Sequence, residues 1–186
     1  MTAIKRILVF GTNGAGKTGV IRLLDDNKLY QFTEVRALEP PRSMETIMLF
    51  NLLGKAPEPE VKVESQLKSI DCKFDLVIYV RSSSNPRFRY GDEVAYKELL
   101  QYVNPAIPRI IVNVGGETSR NPVYRLTKEL DNIRQQYAMS FVYGVNICAF
   151  TPEEIDNIIA VFRPHLTQIR IESKDLLQQV VAASIH

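Results

Sequence analysis

The stretch Gly11-Thr12-Asn13-Gly14-Ala15-Gly16-Lys17-Thr18 constrains this chain more than any other. It follows an apolar run, Ile7-Leu8-Val9-Phe10, and precedes a helix-like segment from Gly19 to Leu24. G-x-x-x-x-G-K-T between a strand and a helix is the setting of a phosphate-binding loop. The glycines let the backbone curl, so the N–H groups from Gly11 through Asn13, Gly14, Ala15 and Gly16 can converge on one anion. The start of the following helix adds its positive dipole end. Lys17 is expected to reach the β- and γ-phosphates, and the Thr18 hydroxyl to bind Mg²⁺. The motif predicts a nucleoside triphosphate site. It leaves the base, and any hydrolysis, open.

A chain of 186 residues is long enough for one domain with an ample core. A net charge of +2 implies no polybasic or polyacidic partner, and direct binding of nucleic acid is not expected. The sequence lacks the long apolar run that a transmembrane helix needs. Met1 to Arg6 leads straight into the first apolar run, so no signal peptide is expected. The two cysteines, Cys72 and Cys148, read as reduced thiols of a cytoplasmic protein. No lipidation signature stands at either end, so contact with a membrane would go through a protein partner. His165 and His186 form no metal-ligand set with either cysteine.

Along the chain, Lys5 to Phe10 predicts a buried strand and the segment after the loop a helix to about Asp26. Leu29 to Thr33 reads as loop. Glu34–Leu38 and Thr46–Phe50 flank the turn residues Pro40 and Pro41, which predicts an antiparallel hairpin. Val61 to Ile70 is a helix candidate, and Leu76 to Val80 a central strand. Arg81 to Tyr90, with Arg87 and Arg89, reads as a solvated basic loop. Helix Asp92–Val103 completes the unit begun by the strand at Leu76 to Val80, and two more strand–helix units follow: Arg109–Val114 with Pro122–Tyr137, and Phe141–Ile147 with Pro152–Phe162. Ser173 to Ala183 is a last amphipathic helix, fitted either to its own domain or to a partner's groove. The alternation predicts an α/β fold: a mostly parallel six-stranded sheet, helices on both faces and one antiparallel edge hairpin. Ligands of such sheets bind beyond the carboxyl ends of the strands.

This order is similar to that of the Ras-like small GTPases over residues 4–170, with 171–186 as a C-terminal helical extension. The phosphate loop matches fully, although Asn13 stands where many of the family have a glycine that lets an arginine finger approach. The resemblance gives Thr33 the role of the switch threonine, sensing Mg²⁺ and the γ-phosphate from the loop before the second strand. The family's D-x-x-G, followed by glutamine, becomes Asn51-Leu52-Leu53-Gly54-Lys55. Gly54 would still meet the γ-phosphate, but Lys55 cannot orient a water as an amide does. The guanine-reading N-K-x-D becomes Val114-Gly115-Gly116-Glu117, where Glu117 could replace the aspartate. Cys148-Ala149-Phe150 falls where the family's S-A-K contacts the base through a backbone N–H.

The resemblance implies an atypical regulatory protein that binds GTP or GDP with Mg²⁺. Hydrolysis would be slow or absent, at most a weak GTPase activity, and action would go through protein partners. A weaker likeness is to the immunity-associated GTPases, whose aspartate-proline-glycine switch motif is missing. Two alternatives stay open. One is a pseudo-GTPase serving as a structural subunit. The other is a small-molecule P-loop kinase, since Val80 to Pro86 with later arginines resembles the region before a deoxynucleoside kinase lid.

Overall fold

Strand β1, Lys5–Gly11, is an interior strand of the sheet, its apolar run buried on both sides. The computed structural model describes residues 3–11, 15–25, 29–36, 63–67, 73–82, 96–114, 130–136, 139–147 and 163–185. Within them, β2 spans Tyr30–Arg36, β3 Leu76–Ser82, β4 Arg109–Val114 and β5 Tyr143–Ile147. All four ladders are parallel, in the order β2-β1-β3-β4-β5. Every described strand therefore ends its carboxyl terminus at the same edge.

Helix α1, Lys17–Leu24, buries Val20, Leu23 and Leu24 at helical spacing. Helix α2 is Val63–Leu67. Residues 96–100 (α3) and 130–136 (α4) are also helical. Helix α5, Arg163–Ser184, closes the described chain. On one face, Ile7, Val9, Ile78, Val80, Ile110 and Val112 pack with Val20 and Leu24 of α1 and with Leu177 and Val181 of α5. On the other, Leu8, Phe10, Val77, Tyr79 and Ile111 pack with Leu67 of α2, Leu99 of α3 and Ile133 of α4. Helices on both faces are thus observed, as the strand–helix alternation predicts.

The second strand departs from expectation. Leu29 to Thr33 was expected as loop, yet Tyr30 to Thr33 belong to β2, which runs parallel to β1 from Lys5↔Tyr30 to Gly11↔Arg36. Tyr30 and Phe32 pack on the α1 side and Val35 on the other, so each face of the strand carries both apolar and polar residues. The described residues give five parallel strands rather than six, and the antiparallel partner expected at Thr46–Phe50 lies outside them. Arg81 is a second correction. It belongs to β3 and is 9% exposed, not part of a solvated loop.

The last helix is longer than Ser173 to Ala183. Pro164 falls in its first turn, where a missing N–H breaks no helical bond. Leu177 and Val181 are fully buried, and Gln178 donates to the Leu23 carbonyl at 3.4 Å, tying α5 to the end of α1. The helix expected at Pro152–Phe162 lies outside the described residues.

At the amino edge of the sheet, Arg109 gathers backbone acceptors. Its guanidinium donates to the carbonyls of Pro105 at 2.7 Å, Ser140 at 3.2 Å and Ile107 at 3.3 Å, and lies 5.9 Å from the Tyr96 ring centre. Hydrogen bonds from a charged donor are stronger than neutral ones, though solvent weakens partly exposed ones. Arg109→Ala is expected to cost about 1–3 kcal/mol, read from urea unfolding midpoints at unchanged m-value.

Candidate phosphate site at the carboxyl edge

The site is built where the strand order changes direction. Chain leaving β1 enters α1 on one face, while the described helix after β3, α3, packs on the other. Between such strands a crevice opens beyond the carboxyl ends. Gly11 ends β1 there, and Ala15, Gly16 and Lys17 carry the chain into α1.

Two glycines are required by geometry. A Cβ on Gly11 would collide with the Val80 carbonyl oxygen of the neighbouring strand. Gly16 has φ 103°, in the left-handed region, and a Cβ there would meet the Val114 side chain at 3.0 Å. Gly11 thus lets β1 and β3 close up under the loop, and Gly16 lets the loop turn into the helix against β4.

Lys17 is the buried cation of the site, 5% exposed. Its ammonium donates to the Gly11 carbonyl at 3.1 Å, folding the side chain back across the loop from helix start to strand end. The Glu34 carboxylate of β2 lies 4.0 Å away. Burial lowers the Lys17 pKa below the ordinary lysine value, Glu34 pulls it back up, and Arg36 pushes it down further. Desolvating an ammonium is costly, and a buried, perturbed lysine at the end of a sheet marks a candidate functional site.

Glu34 and Arg36 are the residues that sequence reading missed. They share the α1 side of β2 with Tyr30 and Phe32, because alternate residues of a strand face the same way. Arg36 is registered with Gly11, at the edge where the loop begins. The signal was the period-two run Tyr30, Phe32, Glu34, Arg36, which acquires meaning only once β2 is placed beside β1.

Thr33 is corrected by the same geometry. It sits inside β2, registered with Leu8, three residues short of the Gly11–Arg36 pair. At roughly 3.3 Å per residue that sets it about 10 Å back from the edge. It also alternates with Glu34, so it takes the face away from α1 and Thr18. Thr18 and Thr33 thus stand on opposite faces of the sheet.

Thr18 lies in the first turn of α1, exposed. Asn13 and Gly14 of the loop, together with Gly54, Glu117, Cys148, Ala149 and Phe150, lie outside the described residues. Among the described residues no group of three His, Cys, Asp or Glu could form a metal cage. Across the carboxyl edge, Arg81 of β3, Asn113 of β4 and Asn146 of β5 stand in one register row, where β1 has only its loop. They alternate with the α1-side residues Val80, Val112 and Val145, and so take the opposite face.

No protein-family model matches the sequence, and no curated protein does. Solved structures do. The ADP-ribosylation-factor-like GTP-binding protein of Encephalitozoon cuniculi, a small COPII coat GTPase solved with GDP, is similar over 98% of this chain and 85% of its own, with a TM-score of 0.52 and 8% identity. A variant of SsGBP is similar over 91% of this chain with a TM-score of 0.49 and 12% identity, and this chain spans only 57% of its length. A quinone oxidoreductase of Methanothermobacter marburgensis covers 94% of this chain with a TM-score of 0.49 and 9% identity. No described helix is long and apolar enough to cross a membrane. The first of these likenesses, in which most of both chains takes part, leads to one conclusion: this chain has an α/β fold similar to that of a small GTP-binding protein.

Proposed function

We propose that this chain is an atypical GTPase-like regulatory protein that binds a guanine nucleotide with Mg²⁺ through the loop between β1 and α1. The observation that carries the reading is the joint geometry of Gly11, Gly16 and Lys17. Two positions exclude a side chain, and between them a buried ammonium spans the loop. Such a loop recognises the phosphates, with Lys17 at their β,γ end. A neighbour of the same fold whose structure contains GDP supports guanine as the base. Glu117 and Cys148-Ala149-Phe150 are the residues proposed to meet that base.

Mg²⁺ suits the donors present. It binds through one or two protein oxygens and otherwise through phosphate and water. The Thr18 hydroxyl and the Glu34 carboxylate, on the α1 side of the sheet, would hold it, and the ion would neutralise phosphate charge. Turnover is proposed to be slow or absent. Asn13 stands where many small GTPases have a glycine, and Asn51 and Lys55 stand where that family has the groups that hold a metal-bound water and aim the attacking one. A nucleotide held without rapid hydrolysis acts through what it lets bind, so protein partners are proposed as the output.

Freshly purified full-length protein tests this reading by what it releases on denaturation. Chromatography of the supernatant is expected to recover GDP or GTP from wild type and none from Lys17→Ala. Recovery of adenine nucleotide alone would overturn the base assignment. An empty wild type that also fails to take up GTP would favour a purely structural subunit.

A further inference from the structure

Resting on the nucleotide reading above, we propose that Arg36 is the second cation of the phosphate site, engaging the same end of a triphosphate as Lys17, and that Gln66 holds it there. Three observations converge. First, Arg36 is the last residue of β2 and is registered with Gly11, the residue from which the loop departs. Second, it lies on the same side of the strand as Glu34, whose carboxylate is 4.0 Å from the Lys17 ammonium. Third, its backbone is clamped. The Arg36 N–H donates to Gln66 Oε1 at 2.7 Å, and Gln66 Nε2 donates to the Arg36 carbonyl at 2.8 Å.

The clamp is the informative part. Strand ends fray. Gln66 presents its amide to both peptide groups of one residue, as a neighbouring strand would. It comes from α2, whose Leu67 is buried in the core, so the amide has a rigid base. Such bracing of one exposed residue has little value for packing. It has value if the guanidinium must be presented at a fixed place.

Charge points the same way. Lys17 and Arg36 are close enough that the Arg36 charge contributes to the lowered Lys17 pKa. An anion bound between the two cations relieves their repulsion. Lys17 marks the β,γ end of a nucleotide's phosphates, so Arg36 beside it reads the terminal phosphate rather than the base. Arginine suits this, since its planar fork makes paired hydrogen bonds to phosphate. Arg36 is thus a residue that distinguishes triphosphate from diphosphate, and Gln66 is its positioning residue.

The test is equilibrium titration of fluorescently labelled GTP and GDP, with Mg²⁺, against full-length wild type, Arg36→Ala, Arg36→Lys and Gln66→Leu. Arg36→Ala is expected to weaken GTP binding about tenfold or more while GDP changes less than about threefold. Arg36→Lys should restore part of the GTP affinity, keeping charge without the fork. Gln66→Leu should narrow the GTP-to-GDP ratio in the same direction, because the arginine remains but is no longer held. Wild-type GTP affinity should also fall more steeply with KCl than that of Arg36→Ala. An unchanged ratio in Arg36→Ala, with wild type binding both nucleotides, overturns this inference alone. A wild type that binds neither nucleotide overturns the reading of the site and this inference with it.

Discussion

Lys17→Met is expected to remove nucleotide binding and, in the same protein, to stabilise the empty fold. The first effect follows from the position of the ammonium, folded over the loop and bonded to the Gly11 carbonyl at 3.1 Å. No other buried cation belongs to the described part of the loop. Losing a charge-assisted contact to phosphate in a water-poor site should weaken GTP binding by about 100-fold or more. The second effect follows from burial. Lys17 is 5% exposed, and desolvation is the main cause of its lowered pKa. Replacing a buried ion with an apolar chain of similar length often stabilises a fold, here by about 1 kcal/mol. Glu34, 44% exposed, stays solvated when its partner goes.

The pH dependence has a definite sign. Below the lowered pKa of Lys17 the ammonium is charged in both the folded and the unfolded chain, and the cost of burying it is fully felt. Between that pKa and the ordinary lysine value of 10.5, the unfolded chain binds a proton that the folded chain has released. Stability from this group therefore rises with pH across that window. The advantage of Lys17→Met over wild type should be largest at neutral pH and shrink toward alkaline pH. Urea midpoints of the two proteins across the series measure it. A gap that widens toward alkaline pH would contradict the assignment.

Gly11→Ala should be the most damaging single-methyl change in the loop. The added carbon would overlap the Val80 carbonyl oxygen, with the Val80 carbonyl carbon 3.3 Å away, so the obstacle is backbone and not a movable side chain. β1 and β3 are adjacent interior strands of the sheet and cannot separate at one rung without disturbing the buried Phe10 and Tyr79, whose ring centres lie 5.5 Å apart. The expected loss is about 3 kcal/mol or more, read by urea unfolding. Gly19→Ala is the matched control. A Cβ there meets nothing within 4 Å, and the residue lies inside α1. It should stabilise by about 0.5–1 kcal/mol, the usual difference between glycine and alanine in a helix.

These contrasts explain what could be read from the sequence. β1, β3 and β4 were legible because Ile7 to Phe10, Leu76 to Val80 and Ile110 to Val112 are apolar on both sides, and only a strand with both faces covered uses such a run. The loop was legible because its chemistry is local. β2 was not. Tyr30 to Arg36 alternates, and its polar residues resemble loop until a neighbour is supplied. Register is a long-range property, so the placement of Thr33 away from the site, and of Glu34 and Arg36 toward it, could not be derived from spacing along the chain. Arg81 was misread for a related reason. The apolar run of β3 ends at Val80, but the parallel ladder with β4 continues through Arg81↔Asn113 to Ser82↔Val114.

The central claim is that the turn between β1 and α1 holds the phosphates of a guanine nucleotide. Equilibrium titration of labelled GTP against wild type and Lys17→Met, with and without Mg²⁺, tests it most directly. Saturable binding by wild type at one nucleotide per chain, strengthened by Mg²⁺, displaced by unlabelled GTP and lost in Lys17→Met, is the predicted result. Wild type and Lys17→Met giving the same curve, or wild type giving none at millimolar nucleotide, would contradict it.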